Sequence, residues 1–387
     1  MADIHLIQIT EKLPPSLHGI GDYAYNLACK FKEKHGIGTS FVLLDTIEDP
    51  KISHDFPIYS LPQLKATLDN AFSNLLEINP ERNVVILHFD RGTYDIYINK
   101  KFYERYNLPF SLFKSLKYLR KKYKKIALGI VFHEFLSPKI ERRRDYILRP
   151  FQNIFMRSIV KTADFSFCSN PVVAKQIIDL YPQTKIFMLP VFSNIGEPGQ
   201  NVLDLKKDGL WVIFGSTDNI IKTLKKFIYH LPLIKTAQAI NTVNILGGYK
   251  SEVVIDLISE IKQQVPSVNY YPMIQNQEAK NIFKISKFCY MYYFNHDLVE
   301  NPTLIFKSGV FAASCSYGVI PVFGNEGMED AIGVFEHPGF VFLKNSQFKF
   351  PDNNKLNELS KDLFYWYQKR STVETAVNIF LNAIKQL

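Results

Sequence analysis

Short apolar runs alternate with helical patterns along the whole chain. In the first half the runs are HLIQIT at 5–10, SFVLLD at 40–45, NVVILHF at 83–89, IALGIVF at 126–132, FSFCS at 165–169 and KIFMLPV at 185–191. In the second half they are LWVIFG at 210–215, TVNILGG at 242–248, SVNYYP at 267–272, FCYMYYF at 288–294 and VIPVFG at 319–324. Most are apolar at consecutive rather than alternate positions, the mark of strands covered on both faces in a parallel sheet. The helical segments between them give βα repeats and a doubly wound α/β architecture. The stretch 190–209, PVFSNIGEPGQNVLDLKKDG, is rich in Pro, Gly and Asn and has no helical period, so it reads as the linker between two domains. The expected organisation is a first domain over 1–193, a second over 194–370 and a final helix over 371–387. Ser371 and Glu374 are spaced as a capping box for that helix, which could pack back on the first domain.

Ligands of open parallel sheets bind at the carboxyl ends of strands, so the loops there carry the candidate chemistry. After the first strand comes LPPSLHGIGDYAYNLACKFKEK, residues 13–34. Gly19 and Gly21 open a helix expected from about Asp22, and a glycine-rich turn at a helix N-terminus brings backbone N–H groups to an anion. Gly19, Gly21 and Ala24, with Asp45 ending FVLLD, also satisfy the dinucleotide fingerprint of dehydrogenases. In that fingerprint the first glycine directly follows the strand, whereas here EKLPPSLH intervenes. A helix that merely starts after two glycines is the plain alternative. Asp22 and Tyr23 stand at the helix head and are further candidates for ligand contact.

His133 and Glu134 follow the strand IALGIVF. A His at a strand end can hydrogen-bond a sugar hydroxyl or phosphate, or can simply be satisfied by backbone. Glu134 can orient it, bind a hydroxyl or cap the next turn; the two are the catalytic candidates. In the second half, Gly215, Ser216 and Thr217 make a small-residue turn before a helix, with Lys222 either reaching over a phosphate or lying on a solvated basic face. Gly247 and Gly248 mark a tight turn or a simple loop. Lys307, Ser308 and Gly309 head a helix of small residues, KSGVFAASCSYG, and form the better anion site of this half; Gly318 ends the helix.

The whole chain has 387 residues, 47% of them apolar, enough for two cores. A net charge of +9 favours anionic partners such as nucleotide sugars or acidic lipid surfaces, and no nucleic-acid recognition motif accompanies it. Residues 110–125, FSLFKSLKYLRKKYKK, read as an amphipathic helix, with Arg142, Arg143 and Arg144 as a second basic cluster. Such faces attract anionic lipid, and an apolar stripe packing on the sheet accounts for the same pattern. The four cysteines are far apart and form no C-x-x-C pair, which suits a reducing compartment and argues against a zinc site. The opening MADIHLIQ does not read as a signal peptide and no run is long enough to span a membrane, so the expected location is cytoplasmic, with a peripheral place on the inner face of the membrane also open. No D-x-D, H-x-x-x-H, Walker or G-x-S-x-G motif occurs, and no metal site is expected.

Taken in order, PPSLHGIGDYAYNLA, IVFHEF, the turn at Phe214 to Ser216 and KSGVFAASCSYGVIPVF resemble the GT-B glycosyltransferases, especially bacterial retaining enzymes of the GT4 type. The resemblance covers nearly the whole chain. It implies two Rossmann-like domains facing a cleft, an acceptor site in the first, a nucleotide-sugar site in the second, and a last helix that returns to the first. It implies metal-independent sugar transfer to a hydroxyl with retention, an acceptor contact at Asp22 and Tyr23, and no cofactor beyond the nucleotide-diphosphate sugar as co-substrate. The acceptor would be a lipid-linked glycan or a small metabolite. The family's E-x7-E pair falls on Ile305 and Ala313, and its usual Arg on Ser216. A subset with a basic residue and Gly at the helix start is matched by Lys307 and Gly309, with Asp297 or Glu300 to read the sugar. These departures keep a non-catalytic nucleotide-sugar-binding protein open; an NAD-linked oxidoreductase is the other alternative.

Overall fold

The computed structural model describes residues 4–14, 19–44, 56–60, 83–90, 113–123, 126–136, 143–199, 202–292, 302–324, 332–343 and 350–386. The chain divides into two compact units. One comprises Met1–Leu189 with Ala376–Leu387, and the other Pro190–Thr375. Phe192 and Ser193 side with the second unit, where both are buried and the Tyr367 hydroxyl accepts from the Ser193 N–H at 2.9 Å.

The first unit is built on strands β1 (His5–Thr10), β2 (Gly38–Leu43), β3 (Ile58–Ser60), β4 (Asn83–Phe89), β5 (Ala127–Phe132), β6 (Phe165–Cys168) and β7 (Ile186–Met188). They form one parallel sheet in the order β3-β2-β1-β4-β5-β6-β7. Its helices are α1 (Gly19–His35), α2 (residues 113–122), α3 (Arg143–Thr162) and α4 (Pro171–Leu180). Alternate strand residues separate the two faces. Ile7, Ile9, Val85, Leu87, Leu128 and Ile130 pack with Leu116 and Leu119 of α2 and with Met156, Ile159 and Val160 of α3. On the other face, Ala24 and Ala28 of α1 pack with Phe41 and Leu43.

The second unit repeats the plan with β8 (Lys207–Phe214), β9 (Thr242–Leu246), β10 (Ser267–Tyr271), β11 (Ser286–Met291), β12 (Ile320–Phe323) and β13 (Val341–Phe342), ordered β10-β9-β8-β11-β12-β13 and all parallel. Helices α5 (Thr217–Ala237), α6 (Glu252–Lys262), α7 (Asn276–Ile285), α8 (Gly309–Ser316) and α9 (Asn353–Arg370) accompany it. The last helix, α10 (Val373–Lys385), returns to the first unit. Its Phe380 ring packs, tilted by 35°, on Phe167 of β6 at 4.1 Å between centroids and lies 5.8 Å from Phe31 of α1.

Each apolar run named from the pattern contains a strand. β3 and β13, of three and two residues, have no comparable run. Both are sheet edges, with one neighbour to satisfy and no need for a long apolar stretch. The cap of the last helix lies one residue later than the spacing predicts. Thr372 Oγ1, not Ser371, accepts from the Thr375 N–H at 3.1 Å, while the Ser371 N–H closes the end of α9 on the Tyr367 carbonyl. The amphipathic stretch at 110–125 is helical at 113–122, with its apolar side on the sheet, as a covering helix requires.

Candidate active site

In the first unit the strand order reverses between β1 and β4, and the carboxyl ends of these strands form the crevice where open sheets bind ligands. Among the buried polar side chains of these strands are Gln8 of β1 and His88 of β4, at 0% and 2% exposure. Burial of this kind demands partners. Gln8 Nε2 donates to the Ala24 carbonyl of α1 at 3.4 Å, which turns its Oε1 towards His88. His88 Nε2 lies 2.7 Å from that oxygen and therefore donates. In a neutral His88 the Nδ1 then accepts, and its neighbour at 3.0 Å is Nε2 of His133. The proton of a neutral His133 thus sits on Nε2 and its lone pair on Nδ1.

Backbone and packing hold His133 in place. Its N–H donates to the Phe89 carbonyl at 3.0 Å, extending the β4–β5 ladder by one residue. The His88 and His133 rings are inclined by only 22°, with centroids 5.3 Å apart, the attitude an in-plane hydrogen bond requires. Tyr23 of α1 stands edge-on to both, 5.1 Å from His133 and 6.2 Å from His88. Tyr23 is buried, and its ring walls the histidine pair. Its neighbour Asp22 is half-buried, and burial pushes its carboxyl up to about 7. Glu134 is half-buried at the start of the next loop.

The two glycines of the first loop have different surroundings. The helix starts at Gly19 rather than near Asp22, so both lie in the first turn of α1. A Cβ on Gly21 would lie 2.3 Å from the Lys12 carbonyl oxygen, so glycine there permits α1 to pack on the chain leaving β1. A Cβ on Gly19 would meet nothing within 4 Å, leaving its backbone approachable.

In the second unit the strand ends carry backbone. Gly247, at φ +88°, would place a Cβ 2.6 Å from the Gly215 carbonyl oxygen. Gly248, at φ +62°, would place one 3.0 Å from the Thr217 backbone N. Thr217 Oγ1 accepts from the Tyr249 N–H at 2.8 Å. The loops after β8 and β9 therefore meet main chain to main chain, a contact that only glycine allows. Ser216 precedes α5 without capping it, and Lys222 is an exposed residue of the helix.

Ser308, 7% exposed, caps α8, with its side chain accepting from the Phe311 N–H at 3.2 Å. At the other end the Gly318 N–H donates to the Cys315 carbonyl and the Val319 N–H to Ser314, the paired bonds of a Schellman motif. The side chain of Asn194 lies against Gly309, and its buried Oδ1 has no hydrogen-bond partner among the described residues. Lys307 is half-buried just ahead of the cap. Ile305 and Ala313 are fully buried apolar residues. Asp297 and Glu300 lie outside the described residues. Among the described residues no group of three His, Cys, Asp or Glu side chains is arranged to hold a metal ion, and no helix is long and apolar enough to cross a membrane.

No protein-family model matches the chain, and no curated protein matches its sequence. Solved structures do match, nearly end to end. An α-glucosyltransferase in complex with UDP-glucose and DNA containing an abasic site has a TM-score of 0.59 at 10% identity, over 98% of this chain and 99% of its own. HepE of Anabaena, in complex with UDP and glucose, gives 0.59 at 10% identity over 99% of both chains. The α,α-trehalose 6-phosphate synthase of Burkholderia multivorans gives 0.56 at 10% identity, over 100% of this chain and 99% of its own. The chain has the GT-B fold.

Within this GT-B fold the first unit brings Gly19, Gly21, Asp22, Tyr23, His133 and Glu134 to one sheet edge, at the ends of β1 and β5. The second brings Gly215, Ser216 and Gly248 together, while Lys307, Ser308 and Gly309 gather at the head of α8. Gln8 and His88 were not predicted from motifs. The signal for them was a polar residue inside a doubly covered apolar strand, in HLIQIT and in NVVILHF.

Proposed function

We propose that this chain is a glycosyltransferase that moves a sugar from a nucleotide-diphosphate donor to a hydroxyl, without a metal and with retention at the sugar carbon. What supports the reading is the GT-B fold over the full length together with His133, held with its Nδ1 lone pair at a strand carboxyl end. In this reaction the bond from the sugar carbon to the diphosphate oxygen breaks and one to the acceptor oxygen forms. The acceptor's proton passes to the departing diphosphate. The protein then has to position the reactants and stabilise negative charge. His133 Nδ1 accepts a hydrogen bond from a sugar or acceptor hydroxyl; Glu134 follows His133 in the chain and Asp22 precedes Tyr23, whose ring packs on His133, so both serve the same hydroxyls. The head of α8, with Lys307, faces the diphosphate, and the glycine turns at Gly215 and Gly248 let it approach the main chain. The acceptor is a lipid-linked glycan or a small metabolite, and no cofactor is needed beyond the donor.

Calorimetry against UDP-, GDP- and ADP-sugars and NAD(P) tests this. One nucleotide sugar should bind saturably, and Lys307→Ala should weaken it by about 1.5–3 kcal/mol, the range for hydrogen bonds to charged groups. Binding of NAD(P) alone would overturn the assignment.

A further inference from the structure

The first three turns of α3 are turned inside out. The helix buries Gln152 with Met156, Ile159 and Val160, while Ile147, Phe151 and Ile154 stand 71%, 66% and 65% exposed. These three recur at i, i+4 and i+7, so they form one stripe opposite the buried face. Tyr146 beside them is equally open to solvent. A monomeric protein seldom leaves such a stripe uncovered without use. Exposed Arg157 and Lys161 border it further along the helix.

Beside it lies a row of positive charge. Phe113 of α2 meets Phe155 of α3 at 6.5 Å between ring centroids, so the helices are neighbours on the same face of the sheet. The outward positions of α2 are Lys114, Lys117, Lys121 and Lys122, with Tyr118 among them, and α2 contains no acidic residue. Arg120 is not part of the row; it makes a bidentate pair with Asp164 at 2.7 and 2.9 Å. In α3 the only acid is Asp145, against Arg143, Arg144, Arg149, Arg157 and Lys161.

We propose that this face of the first unit docks on an anionic lipid bilayer, with Ile147, Phe151 and Ile154 entering the headgroup boundary and the α2 lysines meeting its charge. A bilayer uses both features, since an interfacial helix needs an apolar side to bury and basic residues beside it. A phosphodiester backbone would use the lysines and gain nothing from three bare apolar side chains. The position fits as well. α2 and α3 precede and follow β5, between adjacent parallel strands β4, β5 and β6, and right-handed crossovers place the first turns of both helices at the strands' carboxyl edge. His133 stands on that edge. An acceptor carried in the membrane would thus be met at the site's own border. The docking itself does not depend on sugar transfer.

Co-sedimentation of the full chain with vesicles tests it, comparing equal parts phosphatidylglycerol and phosphatidylcholine with phosphatidylcholine alone at low salt. Each basic residue near an anionic surface counts for about fivefold in affinity. The wild type should bind the anionic vesicles at least ~10-fold better and lose them as salt rises. The triple variant Ile147→Asn, Phe151→Asn, Ile154→Asn and the quadruple variant Lys114→Gln, Lys117→Gln, Lys121→Gln, Lys122→Gln should each bind at least ~10-fold less. Their melting curves and nucleotide-sugar affinity should match the wild type, because all seven positions are exposed. Wild type left in the supernatant, or variants bound as well as wild type, overturns the proposal. So does a homodimer that the asparagine variant dissociates without any vesicle binding. Retention of duplex DNA sensitive only to the lysine changes, again without vesicle binding, overturns it in favour of nucleic acid.

Discussion

At the switch point of the first unit the strand ends present side chains; at the corresponding edge of the second they present main chain. Gln8, His88 and His133 form a directed hydrogen-bond chain anchored on β1, β4 and β5, and Tyr23 closes it from α1. Gly215, Gly247 and Gly248 in the second unit do the opposite, removing side chains so that two loops touch through their backbones. The sheets share a strand order, so the topology does not make this difference. What differs is the chemistry each edge is equipped for. Oriented imidazoles select and polarise a hydroxyl, whereas open main-chain turns and helix ends suit an anion without discriminating its substituents.

Breaking the first half of the comparison should have the largest effect. His133→Ala is expected to lower kcat by about 10²-fold, the effect of misplacing the reacting groups, with little change in nucleotide affinity. Equal losses in binding and turnover would mean that both edges simply hold the nucleotide. The comparison sharpens at Gln8. Gln8→Leu removes the acceptor and should mix the tautomers, with kcat falling and nucleotide affinity retained.

The second half breaks at the glycines. Gly247→Val adds a branched side chain at φ +88°, against a carbonyl oxygen 2.6 Å from the first added carbon. About 3 kcal/mol of stability should be lost, measured as a lower urea midpoint for unfolding of the second unit. Gly19→Ala is the control in the first unit. It meets open space and a helical conformation, so stability should hold or rise slightly. If Gly247→Val were tolerated, the loops after β8 and β9 would have another way to pack.

The contrast also decides what a reader of the bare chain could see. Runs such as NVVILHF declare buried parallel strands, and glycines before a helix declare close approach, because both are local rules of pattern and backbone. The hydrogen-bond chain is not local. Gln8, His88 and His133 are 80 and 45 residues apart, and only the β1-β4-β5 adjacency joins them. The helix starting at Gly19 rather than near Asp22 escaped for another reason. Glycine's poor helix propensity is overridden where Gly21 must pack on Lys12. The apolar stripe on α3 was hidden because a hydrophobic pattern gives periodicity and not direction, and the burial of Gln152 with Met156, Ile159 and Val160 shows which way the helix faces.

A titration extends the test of the first unit. Burial raises the Asp22 carboxyl from an ordinary 3.8 to about 7 in the folded chain. Between about pH 4 and 7 the unfolded chain has therefore lost this proton while the folded chain retains it. Stability should fall as pH rises through that window, and the loss should be complete above it. Asp22→Asn removes the loss. It should match the wild type near pH 4 and exceed it by about 2 kcal/mol near pH 8, a figure reduced for the solvent that reaches a half-buried side chain. Urea melts at the two pH values give the answer, and a gain of equal size at both would point to a cause other than ionisation.

The smallest change in stability should come from the head of α8, where it can be separated from binding. Ser308 accepts from the Phe311 N–H, and Ser308→Ala leaves that buried donor without a partner. Loss of an N-cap costs about 1 kcal/mol, and the Schellman bonds at Gly318 still close the far end of the helix. Ser308→Asp makes the sharper variant. An aspartate caps as well as serine and suits the positive end of the helix, so the melting temperature should be unchanged or slightly higher. The same negative charge would stand where the proposed reading puts a diphosphate, and nucleotide-sugar affinity should fall at least ~10-fold by like-charge repulsion. A stable Ser308→Asp chain that binds nucleotide sugar as before would leave α8 a purely structural helix and move the anion site to the glycine turns after β8 and β9.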